Sequence, residues 1–323
     1  TVLATVEGQL ADKSDIDSEG DEDIISYAQY NGTEKLTIDI GFETVKTTSD
    51  NDSTLLNEAS GFEGVIGSPN DDIIIGGDNS NIAGGSGDDF IIGDSDDFLD
   101  YGREQAFAHQ SQTFHFDTGI HADLQKGFVT DTYGHTDNLY RTEDGLGIKN
   151  IIGTTKDDII IGSNLGSNIV SGNGNDTITI NGGNNSVVAG LGDDIINVNA
   201  KNATIYGDAI GFTNGKDVFK IQNNFENITI EDFETNLDKL VINLKDGEYL
   251  ETIEGYGTAG IKIRKNGQND NFLNINSAAG VITATTLAIA TTEVMALTDI
   301  LPSSESFDGG NDILNLSALT ADI

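Results

Sequence analysis

Acidic residues recur at fixed intervals along the chain, and their spacing carries the clearest chemistry in it. Asp158, Asp176 and Asp194 lie 18 residues apart, and Asp72 and Asp89 lie 17 apart. Each is preceded by a second Asp or an Asn, as in Asp71-Asp72, Asp88-Asp89, Asp157-Asp158, Asn175-Asp176 and Asp193-Asp194. So regular a period marks metal ligands rather than an acid/base pair, which needs two carboxyls across one scissile bond. The composition agrees. With 54 acidic against 16 basic residues the formal charge is −38, and a compact chain with that surplus repels itself unless counter-charge is built in. Disorder is a poor remedy here, because Pro is only 2 and Ile, Val and Thr, which favour strands, are abundant. Bound divalent cations account for the charge best.

Other chemistries lack their motifs. The sequence has no Cys, no G-x-S-x-G, no H-E-x-x-H and no Walker loop. Gly93-Asp94-Ser95 reads as a turn within the repeats, not a nucleophile motif. All four His (His109, His115, His121 and His135) fall in residues 102–150 among Phe and Tyr residues. Their spacing matches no zinc pattern, so exposed or packing roles are expected of them. A chain this acidic does not track nucleic acid, and no apolar run is long enough for a membrane span. Without disulfides, stability in a secreted chain would fall to calcium. No signal peptide is visible at Thr1, so either it was removed or export does not use one.

Behind the acidic periods stands a repeated module. Gly67-Ser68-Pro69-Asn70-Asp71-Asp72-Ile73-Ile74-Ile75-Gly76 returns 86 residues later as Gly153-Thr154-Thr155-Lys156-Asp157-Asp158-Ile159-Ile160-Ile161-Gly162, with seven of ten positions identical. Asp23-Ile24-Ile25-Ser26-Tyr27 resembles Asp97-Phe98-Leu99-Asp100-Tyr101, and Asp312-Ile313-Leu314 opens the same way. After Gly153 the period is nine: Ser167 and Asn185 lie midway between the acids, and Ile160, Ile169, Ile178, Val187 and Ile196 form an apolar ladder. The 39 Gly cluster before the acids, as tight turns between short strands require.

Gly84-Gly85-Ser86-Gly87-Asp88-Asp89-Phe90-Ile91-Ile92 and Ala189 to Asn197 resemble the RTX, or haemolysin-type, calcium-binding nonapeptide G-G-x-G-x-D-x-U-x. Strict repeats cover residues 67–100 and 153–206, about a quarter of the chain. The resemblance implies an all-β fold: parallel β-roll (β-solenoid) blocks in tandem modules, two nonapeptides to a coil, with strand-rich inserts and a β capping region. It implies several Ca²⁺ ions held by Asp72, Asp89, Asp158, Asp176 and Asp194, by their neighbours Asp71, Asp88, Asp157 and Asp193, and by Asp23, Asp97, Asp217 and Asp312 of the module heads and last repeat. Stacked one coil apart, about 4.8 Å, bare carboxylates would repel; Ca²⁺ between them converts repulsion into coordination, with turn carbonyls completing its oxygens. The edge of the second roll that carries Ser167 and Asn185 is expected to be held mainly by hydrogen bonds.

These features divide the chain into a first module (1–100), a second with a His- and aromatic-rich insert (101–221, roll at about 153–206), a capping region (222–305) and the head of a further module (306–323). Within the cap, the pattern of 284–300 does not decide between helix and strands. The resemblance further implies export by a Gram-negative type I system, unfolded, with folding in extracellular calcium. An adhesin, surface-layer or fibre section is the reading favoured by tandem modules; the secretion and folding tail of an exoenzyme, or a carbohydrate-binding module using the insert, are the alternatives. Expected partners are calcium, further copies or covalently continued modules meeting at 306–323, and a glycan or surface receptor.

Overall fold

A computed structural model describes residues 24–42, 44–47, 62–103, 118–141, 147–209, 215–222, 225–234 and 237–242 in full, and the backbone of residues 3–5, 243, 248–253, 259–265, 271–275, 287–291 and 293–296. Asp23, Asp312, His109, His115 and the module head 306–323 lie outside the described residues. The chain is all-β and divides into two units, Thr1–Ser163 and Asn164–Ile323.

The first unit contains β1 (Leu3–Thr5), β2 (Ile24–Ser26), β3 (Leu36–Asp39), β4 (Thr44–Thr47), β5 (Gly64–Ile66), β6 (Ile73–Ile75), β7 (Asn81–Ala83), β8 (Phe90–Ile92), β9 (Phe98–Asp100), β10 (His121–Asp123), β11 (Phe128–Thr130), β12 (Thr136–Leu139), β13 (Asn150–Ile152) and β14 (Ile159–Ile161). From β5 to β9 successive strands alternate between two faces, which is how a coil of two short strands and two turns is built. One face stacks β1, β2, β5, β7, β9 and β13, all parallel. The other stacks β3, β6, β8 and β12 in parallel. That second face continues through the antiparallel pairs β12–β11 and β11–β10, then returns to parallel pairing at β10–β14. The insert is therefore spliced into one face while β9 and β13 pair directly on the other. The boundary expected at 100/101 falls inside this unit.

A three-residue strand can turn only its middle side chain inward, and the middle positions are the ladder residues. Ile25, Val65, Ile82, Leu99 and Ile151 stack in register on the first face, and Ile38, Ile74, Ile91 and Leu139 on the second; all are buried. The hydrophobic effect thus fixes register, since a slip of one residue would expose the whole stack.

The second unit comprises β15 (Asn168–Asn173), β16 (Thr177–Leu191), β17 (Ile195–Asp208), β18 (Val218–Ile221), β19 (Asn227–Ile230), β20 (Lys239–Asn243), β21 (Glu248–Ile253), β22 (Ala259–Lys265), β23 (Asn271–Ile275), β24 (Leu287–Thr291) and β25 (Glu293–Ala296). β16 and β17 run far beyond three residues because the 18-residue repeat is unbroken here. Turn residues Asn181 and Gly182 pair with Asn199 and Ala200 just as the flanking strands do, from Thr177↔Ile195 to Val188↔Tyr206. The buried stacks are Ile178, Ile196, Phe219 and Leu240 on one face and Ile169, Val187 and Ile205 on the other. Such close coil stacking leaves no room for side chains in the turns. Gly190 (φ 117°) and Gly192 (φ 142°) adopt left-handed conformations, and a Cβ on either would overlap the carbonyl of Gly172 or Gly174 one coil away. Beyond β20, β21–β22–β23 form an antiparallel meander, with β23 parallel to β19. Residues 284–300, undecided from the sequence, contain the antiparallel pair β24–β25.

Candidate functional site

The two members of each acidic pair have opposite environments. Asp71, Asp88, Asp157 and Asp193 are exposed, whereas Asp72, Asp89, Asp158, Asp176 and Asp194 are buried, as is Asp217 of the last repeat. Each buried member immediately precedes a strand of one face, so its backbone leaves the turn just where the next coil lies against it.

Stacked pairs are tied to one another by hydrogen bonds running both ways. The Asp72 N–H donates to Asp89 Oδ1 at 2.7 Å, while the Asp88 N–H donates to Asp71 Oδ1 at 2.9 Å. In the second unit the Asp176 N–H donates to Asp194 Oδ1 at 2.7 Å, and the Asp193 N–H to Asn175 Oδ1 at 2.8 Å. The inner ladder continues from Asp194 N–H to Asp217 Oδ1 (2.9 Å) and from Asp217 N–H to Asp238 Oδ1 (3.0 Å). One oxygen of each inner carboxylate thus replaces the strand hydrogen bond that a turn lacks. The second oxygen is where the turns differ.

At Asp72 the second oxygen is taken up by its own turn. Oδ2 accepts the Ser68 N–H at 2.6 Å, and Oδ1 accepts the Ser68 hydroxyl at 3.0 Å and the Leu36 N–H at 2.7 Å. Asp158 repeats the arrangement with the Thr154 N–H (2.7 Å), the Thr154 hydroxyl (2.9 Å) and the Ile120 N–H (2.7 Å). At Asp89 the residue four positions earlier is Gly85 (φ 90°), which has no hydroxyl to offer. Asp89 Oδ2 is buried without a hydrogen-bond partner, and so is Asp217 Oδ2. Both lie over glycine Cα atoms: a Cβ on Gly84 would overlap Asp89 Oδ2, and one on Gly207 would overlap Asp217 Oδ2. A buried carboxylate oxygen with no donor costs several kcal/mol, about the full desolvation penalty of the group.

The electrostatics follow. Burial pushes Asp72 and Asp158 up to about 6 against the pull of their turn donors. Asp217 rises to about 8, first by burial and then by the charges of Asp238, Asp194 and Asp208. Burial and the charges around it likewise raise Asp238 to about 7. Asp89 and Asp137 face each other and are both raised, chiefly by burial. Without counter-charge Asp217, Asp89 and Asp137 resist ionisation near neutrality, whereas Asp72 and Asp158 are less affected.

The opposite edge is held differently. Asp97 lies there, not beside Asp72 and Asp89: its Oδ1 accepts the Ser80 N–H (2.7 Å) and its Oδ2 the Asp94 N–H (2.9 Å). In the second unit the Ser167 N–H donates to Asn185 Oδ1 at 2.9 Å, a neutral version of the same link.

Two ladder members were missed from the sequence. Asp238 ends the inner ladder, its Oδ2 accepting the Glu234 N–H at 2.7 Å; the signal for it is the same four-residue separation from a turn N–H. Asp137 belongs to the insert, where no repeat pattern announces it. Of the described His, the half-exposed His135 accepts the Gly87 N–H on Nδ1 at 3.2 Å, and His121 packs edge-on against Phe128 at 5.8 Å. Both therefore have packing roles.

Among the described residues no three His, Cys, Asp or Glu side chains gather closely enough to hold a metal by themselves. Two stacked carboxylates offer oxygen-only donors, the chemistry of a hard ion such as Ca²⁺. Asp89, facing Asp137, and Asp217 within its ladder each supply an oxygen that protein donors leave unsatisfied; Asp72 and Asp158 do not.

No protein-family model and no curated protein matches the chain. Among solved structures, the extracellular lipase LipA from Serratia marcescens is similar at 15% identity and a TM-score of 0.21, over 70% of this chain and 40% of that one. This chain thus spans well under half of the lipase, and so loose a superposition bears on neither substrate nor chemistry. No helix among the described residues is long and apolar enough to cross a membrane.

Proposed function

We propose that this chain is a calcium-dependent structural roll of the RTX type, working outside the cell as a stiff section of an adhesin, surface layer or fibre. The observation that carries the reading is the buried, donor-less Oδ2 of Asp89 and Asp217 within ladders of stacked aspartates. A bound Ca²⁺ supplies the positive charge that lets these carboxylates ionise while buried. The chain's own residues do the rest: the inner carboxylates hold the coils in register through Oδ1, the glycines permit the turn geometry, and the Ile stacks exclude water. At affinities of about 10⁻⁴–10⁻³ M, usual for extracellular modules, the roll would stay unfolded in the cytosol and fold after export.

A glycan-binding reading draws on one feature of the first unit. Phe90 and Tyr140 are 39% and 47% exposed and meet edge-on at 6.5 Å on the outer surface of the second face, a surface suited to sugar stacking.

Circular dichroism of the intact chain tests the main reading. Chelator should give a coil spectrum and millimolar Ca²⁺ a strand spectrum, since binding and folding are one event when the site exists only in the fold. Equal strand content in the two conditions would refute it.

A further inference from the structure

We infer that Asp89 and Asp137 share a divalent cation that docks the insert, residues 118–141, onto the first roll. The inference rests on the roll reading above but extends it to a segment outside the repeats. β12 lies parallel to β8, with Asn138 and Leu139 beside Phe90 and Ile91. Thr136-Asp137 thereby occupies, against Asp88-Asp89, the place that the next acidic pair takes elsewhere. The reciprocal bonds are present: Thr136 N–H donates to Asp88 Oδ1 at 2.8 Å, and Asp89 N–H to Asp137 Oδ1 at 3.2 Å.

The remaining oxygens converge. A Cβ on Gly84 would overlap Asp89 Oδ2 and lie 3.0 Å from Asp137 Oδ2, so both point at one spot above that glycine. Asp89 and Asp137 are each 0% exposed, and Asp89 Oδ2 has no hydrogen-bond partner. Asp137 Oδ2 accepts the Tyr101 hydroxyl at 2.7 Å, which fixes its direction.

The surroundings of this pair add further negative charge. Asp131, buried as well, adds its charge from the β11–β12 turn. His135 Nδ1 lies 3.9 Å from Asp131 Oδ2, and the Gly87 N–H points at the same nitrogen from 3.2 Å. The Arg103 and Lys126 ion pairs go to Asp100 and Asp123. Fully buried acids facing one another across a docking contact, with an orphaned oxygen aimed between them, form a site that a cation would complete.

The experiment uses the full chain as wild type, Asp137→Asn and Tyr101→Phe. It measures bound calcium at neutral pH and calcium-dependent hydrogen-exchange protection of segments 128–139 and 177–199. Terbium, a calcium mimic excited through tyrosine in this Trp-free chain, reports the site itself. Asp137→Asn should bind one calcium fewer and need about tenfold more calcium or greater to protect 128–139, with 177–199 unchanged. Tyr101→Phe should keep the calcium count but lose the terbium emission sensitised at this site. If Asp137→Asn keeps both the count and the midpoint at 128–139, and Tyr101→Phe keeps its emission, the inference is overturned and a shared proton joins the two acids. In that case 177–199 would still respond to calcium. A wild-type chain in which neither segment responds overturns the roll reading as well.

Discussion

Asp217 offers the sharpest test of whether buried carboxylates hold the metal-free chain unfolded. Its folded-state value is about 8, against about 3.9 for an unfolded Asp. Both states carry the proton below about pH 4, so there the group costs nothing. As pH rises the unfolded chain releases the proton first, and the folded state loses stability until the loss is complete near pH 8. At pH 7 the cost is about 4 kcal/mol, a large share of the roughly 5–15 kcal/mol that holds a domain together. Asp89, Asp137 and Asp238 act in the same direction. Acid should therefore stand in for calcium. In chelator, circular dichroism should show strand content increasing as pH falls from 8 to 5, still above the isoelectric point of about 4.1. Asp217→Asn keeps the acceptor for the Asp194 N–H and removes the charge, but leaves an amide N–H to satisfy at about 1–3 kcal/mol. A net gain of about 1–3 kcal/mol should move its midpoint to higher pH, while in calcium the same variant should be the weaker one. Identical metal-free spectra at pH 5 and 8, or a variant with the wild-type midpoint, would refute the reasoning.

Two further outcomes follow from the same geometry. Asp72→Asn should cost about 1–3 kcal/mol through its lost turn bonds and leave bound calcium unchanged, whereas Asp89→Asn should lose an ion; equal calcium counts for the two would erase the distinction between self-capped and open turns. Ile178→Ala, in the buried stack with Ile196 and Phe219, should cost about 2–5 kcal/mol and raise the calcium midpoint without changing the count, so a lost ion there would contradict a purely packing role.

The repeats were legible because each coil solves one problem in the same way. A glycine turn, an acid and an inward Ile return every 18 residues, and the buried stacks follow from that period. The difference between Asp89 and the self-capped Asp72 and Asp158 was also written in the sequence, as Gly85 against Ser68 and Thr154 four residues before the acid. It is visible only once the donor to Oδ2 is asked for. Asp137 was not legible, since Thr136-Asp137 lacks the Gly-x-Gly that precedes Asp89 and gains its place from the parallel docking of β12 on β8. The lengths of β16 and β17 were hidden for a related reason: turn residues become strand only when an identical turn lies beside them.

The direct pairing of β9 with β13 has a consequence for how such chains diversify. Phe98, Leu99 and Asp100 sit beside Asn150, Ile151 and Ile152, so the chain departs and returns on adjacent rungs. An excursion that starts and ends one rung apart imposes almost no closure strain, and its length costs little more than the logarithm of its residues. The junction is a natural grafting point. Any foreign hairpin whose outer strands match the pitch of β8 and β14 could occupy it without disturbing a rung on the far side, letting a constant scaffold exchange one decoration for another.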